Sequence, residues 1–504
     1  MSAVTLALAT NPGGYLLVLS IIVPVIGMIA SFVAGGRNAE RIALAVMPAG
    51  LGVALAIAVD VWWQQAPLVY ILGGWAPPLG IALRADGFSA VMLVTAALVI
   101  AAAGYFARPL FATPPELAEG RAPLAFWALL LGLWAALNMV FLGGDLFNLY
   151  VALELLTFAA VPLVCLDGRP ETLRAALRYL LFALIGSVFY LLGVALLYGA
   201  YGTLDIVLLA QRIRAGSAVA PATLVAGGLM TAGLLAKTAL FPLHLWLPPA
   251  HANAPAPASA VLSALVVKGS FFLVVRLWFD VMPVLASDLA MGLLGALGSG
   301  AILFGSLLAL RQQRLKLLIA YSTIAQIGYL FLMFPLAAGS EPWNGQAWNG
   351  GVMQALSHAF AKAAMFLGAG LVAESLGHDR IADLRGVGRA MPMTLFAFGL
   401  GGLSLMGLPP SGGFTAKWLM LQATVEGGRW FWAAIVLSGG LLAGGYVFRV
   451  VAPALATSDV AVKAPPSRQR EAVVLTLAVA ALLLGFAPPR FFDLLQVGRG
   501  VILP

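Results

Sequence analysis

The chain has 504 residues, 62% of them hydrophobic and only 10% charged, with a mean hydropathy of +0.99. An ordinary soluble domain carries about 25% charged residues, so this composition excludes a soluble enzyme and a membrane-anchored soluble head. One cysteine, Cys165, excludes a disulfide framework, a cysteine-ligated iron–sulfur cluster and a structural zinc site, and the net charge of +8 is read as membrane topology rather than nucleic-acid binding.

Apolar runs of about 20 residues, the length of a bilayer-spanning helix, place the first seven helices at 15–35, 42–63, 86–106, 122–142, 146–166, 174–199 and 221–247. The second seven follow at 257–280, 283–309, 315–336, 350–374, 391–426, 430–452 and 471–488. The opening MSAVTLALATNPGG has no basic n-region and no clear processing site, so the first span is expected to belong to the mature protein. The longest polar or Pro-rich connections, 64–84, 107–121 and 453–470, are too short for a soluble domain. The expected fold is an all-α polytopic membrane protein of about fourteen transmembrane helices, one domain over 1–504.

Loops after odd-numbered helices hold 17 of the 28 Lys and Arg residues and the opposite loops hold seven, Arg276 counted among them. This bias puts the odd loops in the cytoplasm and both termini outside. The four remaining basic residues are lysines inside spans: Lys237, Lys268, Lys362 and Lys417. A charge near the bilayer centre costs at least about 2.5 to 3.5 kcal/mol on insertion scales, so an intramembrane lysine points to a use. Lys268 and Lys362 lie about 16 and 18 Å into their helices, too deep to snorkel easily. Glu154, about 12 Å into the fifth helix, is the carboxylate clearly at membrane depth. Such a group among lysines invites an ion pair, and separating the partners would release the lysine's proton.

Two spans are interrupted. The seventh reads LLAKTALFPLHLWLPPAH and the twelfth LSLMGLPPSGGFTAKWLM; proline removes a backbone donor and glycine loosens the helix, so both should unwind at mid-membrane. Lys237 flanks one break and Lys417 the other. Paired broken helices point to an inverted repeat with the ion path at the breaks, so two inverted five-helix repeats are expected, helices 4–8 (122–280) and 9–13 (283–452), flanked by 15–106 and 471–488. The tenth helix carries Tyr321, Ser322, Thr323 and Gln326 where the fifth carries Glu154, so the halves should handle protons differently.

Three of four histidines, His244, His251 and His358, lie in or beside spans, and imidazole passes protons near neutral pH. His358 and Lys362 are four apart and share a helix face. For His244 and His251 two readings stand side by side: a hydrogen bond to a carbonyl freed at the break, or a relay role. The sequence has no metal-site motif, no P-loop and no paired-aspartate prenyl-diphosphate motif, which counts against an intramembrane enzyme; no cofactor is expected.

The run KTALFPLHLWLPPAHANAPAPASAVLSALVVK, from Lys237 to Lys268, resembles the signature of the proton-pumping, antiporter-like subunits shared by respiratory complex I and Mrp-type cation/proton antiporters. DLFNLYVALELL from Asp145 through Glu154, LKLLIAYSTIAQIGY, HAFAKAAMF and GLPPSGGFTAKW match further motifs of that family in order, and the resemblance covers roughly 70–450. Within the family, GGWAPPLGIALRADGFSA and a lysine at position 417 are similar to the D subunit of Mrp antiporters.

The resemblance implies that Glu154 and Lys237 form a pair whose making and breaking drives transfer. Lys268 is then the central relay, Lys417 the terminal one, and His358 lies between them; His244, His251, Lys362 and Asp145 support. It further implies a hetero-oligomer of membrane subunits in a bacterial-type cell membrane, exchanging H⁺ for Na⁺ or another monovalent cation. The competing expectation is a proton-pumping subunit of a complex I-like or membrane-bound hydrogenase redox complex. Because Na⁺ prefers oxygen ligands and this path offers mainly nitrogen-bearing side chains, the cation is expected to be handled elsewhere in the complex.

Overall fold

Apolar segments in a bilayer must close their backbone hydrogen bonds internally, and helices do so within one segment. The computed structural model describes residues 9–499 except 115, 217, 340 and 459–461. The opening stretch therefore lies outside the described residues up to position 8, as does part of the 453–470 connection. In chain order the helices are α1 (Tyr15–Ala34), α2 (Gly36–Gln64), α3 (Gly87–Ala107), α4 (Arg121–Leu142), α5 (Leu146–Val164), α6 (Pro170–Tyr201), α7 (Ile206–Ala215), α8 (Pro221–Thr238) and α9 (Leu247–Asn253). They continue as α10 (Ala256–Val281), α11 (Asp288–Arg311), α12 (Leu315–Ala337), α13 (Asn344–Leu376), α14 (Pro392–Met406), α15 (Gly412–Glu426), α16 (Trp430–Ala454), α17 (Arg468–Phe486) and α18 (Pro489–Gln496).

Among the described residues, 12 helices are long and apolar enough to cross a membrane. Two further segments are interrupted: α8 and α9 are separated by 239–246, and α14 and α15 by 407–411. The chain is a polytopic membrane protein, and its helices are unevenly sheltered. The apolar windows of α10 and α13 are 100% buried within the protein and that of α12 is 89% buried, against 28% for α1 and α2. The three sheltered helices carry Lys268, the Tyr321–Gln326 polar run, and His358 with Lys362.

The 64–84 connection is not irregular. Strands β1 (Leu68–Ile71) and β2 (Ala82–Ala85) pair antiparallel, Leu68 opposite Ala85 and Ile71 opposite Ala82, so among the described residues a mainly helical fold carries one hairpin. Its strands are four residues each, short enough for their alternation to pass for a polar loop. At this hairpin end Gly144 N–H donates to Ala82 O (3.1 Å), Arg84 pairs with Asp205 (3.1 Å), and Gly87 N–H donates to Val497 O (3.0 Å). The opposite end joins a different set of loops. Arg108 pairs with Glu40 (2.9 Å), Arg314 with Asp379 (2.9 Å) and Arg470 with Glu374 (2.5 Å). Arg276, counted in the sequence as a loop charge, instead lies within the last turns of α10, paired with Asp86 and Asp280.

Candidate functional site

The first break follows Lys237. Ala239 takes the left-handed conformation with φ 58°, and the carbonyls freed at the end of α8 are met locally: Leu240 N–H donates to Leu235 O (3.1 Å) and Trp246 Nε1–H to Ala236 O (2.9 Å). Trp246 is held by stacking on Tyr179 of α6, ring centroids 4.2 Å apart. The Lys237 ammonium is thus left to reach across the bundle. Nζ donates to Glu154 Oε1 (3.1 Å) and to Thr157 Oγ1 (3.1 Å), both on α5. Ser187 of α6 donates to the same Glu154 oxygen.

Small residues permit this convergence. A Cβ on Gly186 of α6 would lie 2.6 Å from Gly233 O of α8, and one on Gly233 would lie 2.3 Å from Gly186 O. The two backbones therefore touch one turn from Lys237, the close approach that glycine allows between membrane helices.

The second break is built the other way round. Lys417 follows it, on α15, and its Nζ folds back onto the carbonyl ends of α14, donating to Leu405 O (2.5 Å) and Met406 O (3.2 Å). The Tyr329 ring of α12 lies 4.3 Å from the same Nζ. Free carbonyls at a helix C-terminus carry partial negative charge, and an aromatic face attracts a cation, so the ammonium rests on fixed dipoles. Gly407, at φ 81°, makes room: a Cβ there would lie 2.6 Å from Lys417 Cδ.

Between the breaks, Lys268 donates to Ser263 O (2.6 Å). That carbonyl lies in a π-helical stretch, Leu262–Val266; π-bulges shift the backbone register locally and recur at functional sites. Lys362 donates to Ile319 O (3.0 Å) and to the Ser322 hydroxyl on α12. Among the described residues, Glu154 is the carboxylate that pairs with a membrane-embedded lysine.

His251 and His358 are buried, and neither ring nitrogen of either has a hydrogen-bond partner among the described residues. His251 instead stacks on Phe366 at 5.0 Å, and His244 packs between Phe241 (5.7 Å) and Phe304 (5.2 Å). The bond from His251 to a freed carbonyl, one of the two sequence readings, is not made. His358 sits in the electrostatic field of Lys268, Lys362, Lys417 and His251, and His251 in that of Lys362 and Lys268. His251 and His358 thus form one central group with Lys268, Lys362 and Lys417. The Glu154–Lys237 pair stands beside it, linked through the helix neighbours: Thr238 Oγ1 on α8 donates to Ser270 Oγ on α10 (2.9 Å).

Asp145 is not brought to the pair. It caps α5 at the hairpin end, accepting from Phe147 and Asn148 N–H (3.0 Å each), and burial raises its carboxyl above the usual range. Sequence reasoning missed Thr157, Ser187 and Tyr329. Thr157, three residues after Glu154 and hence on the same face, carried a usable signal; Ser187 and Tyr329 arrive from other helices and carried none.

Comparisons with known proteins agree on the family. A model of the family described as NADH:quinone oxidoreductase/Mrp antiporter, TM, matches residues 143–443. The chain is 37% identical over 413 residues to NADH-quinone oxidoreductase subunit N of Desulforudis audaxviator, covering 81% of this chain and 79% of the relative. It is 30% identical over 432 residues to the D subunit of the Na(+)/H(+) antiporter of Alkalihalophilus pseudofirmus, covering 85% and 84%. A chain in the structure of the Mrp complex from Dietzia sp. shares its fold, with a TM-score of 0.84 at 24% identity and 97% of each chain covered.

Proposed function

The chain belongs to the family of antiporter-like membrane subunits shared by NADH:quinone oxidoreductases and Mrp antiporters, and from that premise we propose that it is the proton-translocating subunit of a multisubunit Mrp-type cation/proton antiporter. Protons pass along Glu154, Lys237, Lys268, His358 and Lys417, with His244, His251, Lys362 and Asp145 in support. The observation that carries this reading is the buried Glu154–Lys237 pair at 3.1 Å beside a helix break. A nearby carboxylate stabilises the ammonium and burial opposes it, so making and breaking this contact changes how tightly Lys237 holds its proton.

Fourteen crossings, the two broken segments included, are supported by the way alternate loops collect at opposite ends. With the basic bias this favours both termini outside and the hairpin end facing out. The same architecture accommodates two inverted repeats, 122–280 and 283–452, in a single transmembrane domain. The exchanged cation, Na⁺ or another monovalent ion, is handled on partner subunits.

A second reading, a proton-pumping subunit of a redox complex, is favoured by the 37% identity to the oxidoreductase relative against 30% to the antiporter relative. Purification of the native assembly and identification of its subunits, combined with ΔpH-dye assays in vesicles, separates the two. Cation-dependent ΔpH collapse with small polytopic partners supports the antiporter. Quinone-site or iron–sulfur partners, with proton movement only on substrate oxidation, support the redox pump.

A further inference from the structure

Along α10, Lys268, Phe272, Arg276 and Asp280 recur every four residues and so line one stripe of the helix. Lys268 is fully buried and Phe272 is 2% exposed, whereas the side chains of Arg276 and Asp280 are each 16% exposed. Exposure along this stripe therefore ends between Arg276 and Phe272, with Lys268 one turn further in.

Three helices close that boundary. The Phe272 ring centroid lies 4.8 Å from that of Phe88 on α3 and 5.2 Å from that of Phe141 on α4. The Arg276 guanidinium lies over this collar, 4.6 Å from the Phe272 centroid. Three partners pin it there: Asp86 (2.5 Å), Asp280 (2.8 Å) and Ser89 Oγ (3.0 Å). Asp86 is itself fixed as the cap of α3, accepting from Ser89 N–H (2.8 Å). Burial pushes the Asp86 carboxyl up, but the Arg276 guanidinium and the hydrogen bonds from Ser89 together hold the group below the usual carboxylate range.

We propose that Phe88, Phe141, Phe272 and Arg276 form an insulating barrier that closes the hairpin end of the Lys268 path, so that protons on Lys268 cannot escape along α10. A dry apolar constriction interrupts a chain of waters, and the Arg276 guanidinium, pinned over the collar by Asp86 and Asp280, covers its outer face. Arginine suits that position because its charge is permanent. A proton reaching Lys268 is thereby directed toward the other lysines. The proposal rests on the reading of Lys268 as a proton carrier.

The test is the passive proton conductance of the purified native assembly in proteoliposomes, measured with a pH dye under a K⁺ diffusion potential and without exchangeable cation. Phe272→Ser should raise the leak about tenfold, equivalent to lowering a barrier by about 1.4 kcal/mol, while Phe272→Leu, which keeps the collar apolar, should stay tight. Adding Lys268→Ala to Phe272→Ser should abolish the leak. If Phe272→Ser does not assemble, Phe88→Ser is measured in its place with the same expectations. A tight Phe272→Ser assembly overturns the barrier, and so does a leak that survives Lys268→Ala. Failure of the underlying reading looks different: Lys268→Ala alone would then leave driven transport intact, whatever the collar variants do.

Discussion

The two helix breaks solve the same problem with opposite chemistry. At the first, the carbonyls freed at the end of α8 are met by Trp246 and by the backbone, and Lys237 is left to a carboxylate on a neighbouring helix. At the second, Lys417 itself covers the freed carbonyls of α14, with the Tyr329 ring on another side. A carboxylate can move away, change its own protonation, or be shielded by a neighbour such as Ser187. Carbonyl ends and an aromatic face are fixed parts of the fold. The first break is thus suited to a switch and the second to a resting place whose occupancy depends on what reaches it.

The sharpest way to break this contrast is at Lys237. Lys237→Ala should lower driven transport by about 100-fold, the scale of losing a positioned proton-transfer group, while assembly stays near normal on blue-native gels. Lys237→Arg should fail equally, because a guanidinium keeps its proton. Near-normal exchange in Lys237→Arg vesicles would make the residue a structural charge.

At the second break the lysine is also part of the architecture, so its loss should show in stability as well as transport. Gly407→Ala places a side chain at φ 81° and 2.6 Å from Lys417 Cδ, and should cost about 1 to 3 kcal/mol, seen as a lower melting temperature of the detergent-solubilised assembly. Lys417→Gln should also lower it, whereas Lys237→Gln should leave it closer to wild type. Equal melting temperatures for the two glutamine variants would erase the distinction between the breaks.

The smallest effect belongs to the hydroxyls. Thr157→Val removes one of two hydrogen bonds to Lys237 without touching the ion pair, a loss of about 1 kcal/mol. It should slow transport a few-fold in the same vesicle assay. An effect as large as that of Glu154→Gln would shift the switch from the carboxylate to the hydroxyl.

Much of this contrast was legible in the sequence. Pro242 in one span, and Pro409 and Pro410 in the other, cannot continue a helix, so both interruptions could be placed from residue chemistry alone; Pro248, Pro249, Gly412 and Gly413 instead fall in the first turns of the helices that follow. Lysines in apolar runs were equally visible. The lysines' partners were not, because Ser187, Tyr329 and the Leu405 carbonyl are set by how helices rotate and cross, which a period of 3.6 residues does not specify. Nor does sequence mark the π-helical stretch that presents Ser263 O to Lys268. The hairpin was hidden by strands of four residues. Arg276 differs for another reason: basic residues near helix ends usually belong to loops, and the facing Asp86 and Asp280 carboxylates, with Ser89, hold this one inside.

The most direct test of the switch is a double-mutant cycle on driven transport, with Glu154→Gln, Lys237→Gln and both together measured in one vesicle preparation by a ΔpH-sensitive dye. If the two act as one unit, each single variant is severely impaired and the double variant is no worse than either, the non-additivity expected of coupled groups. Full activity in Glu154→Gln, or losses that multiply in the double variant, would contradict the ion-pair switch and leave the first break no different in kind from the second.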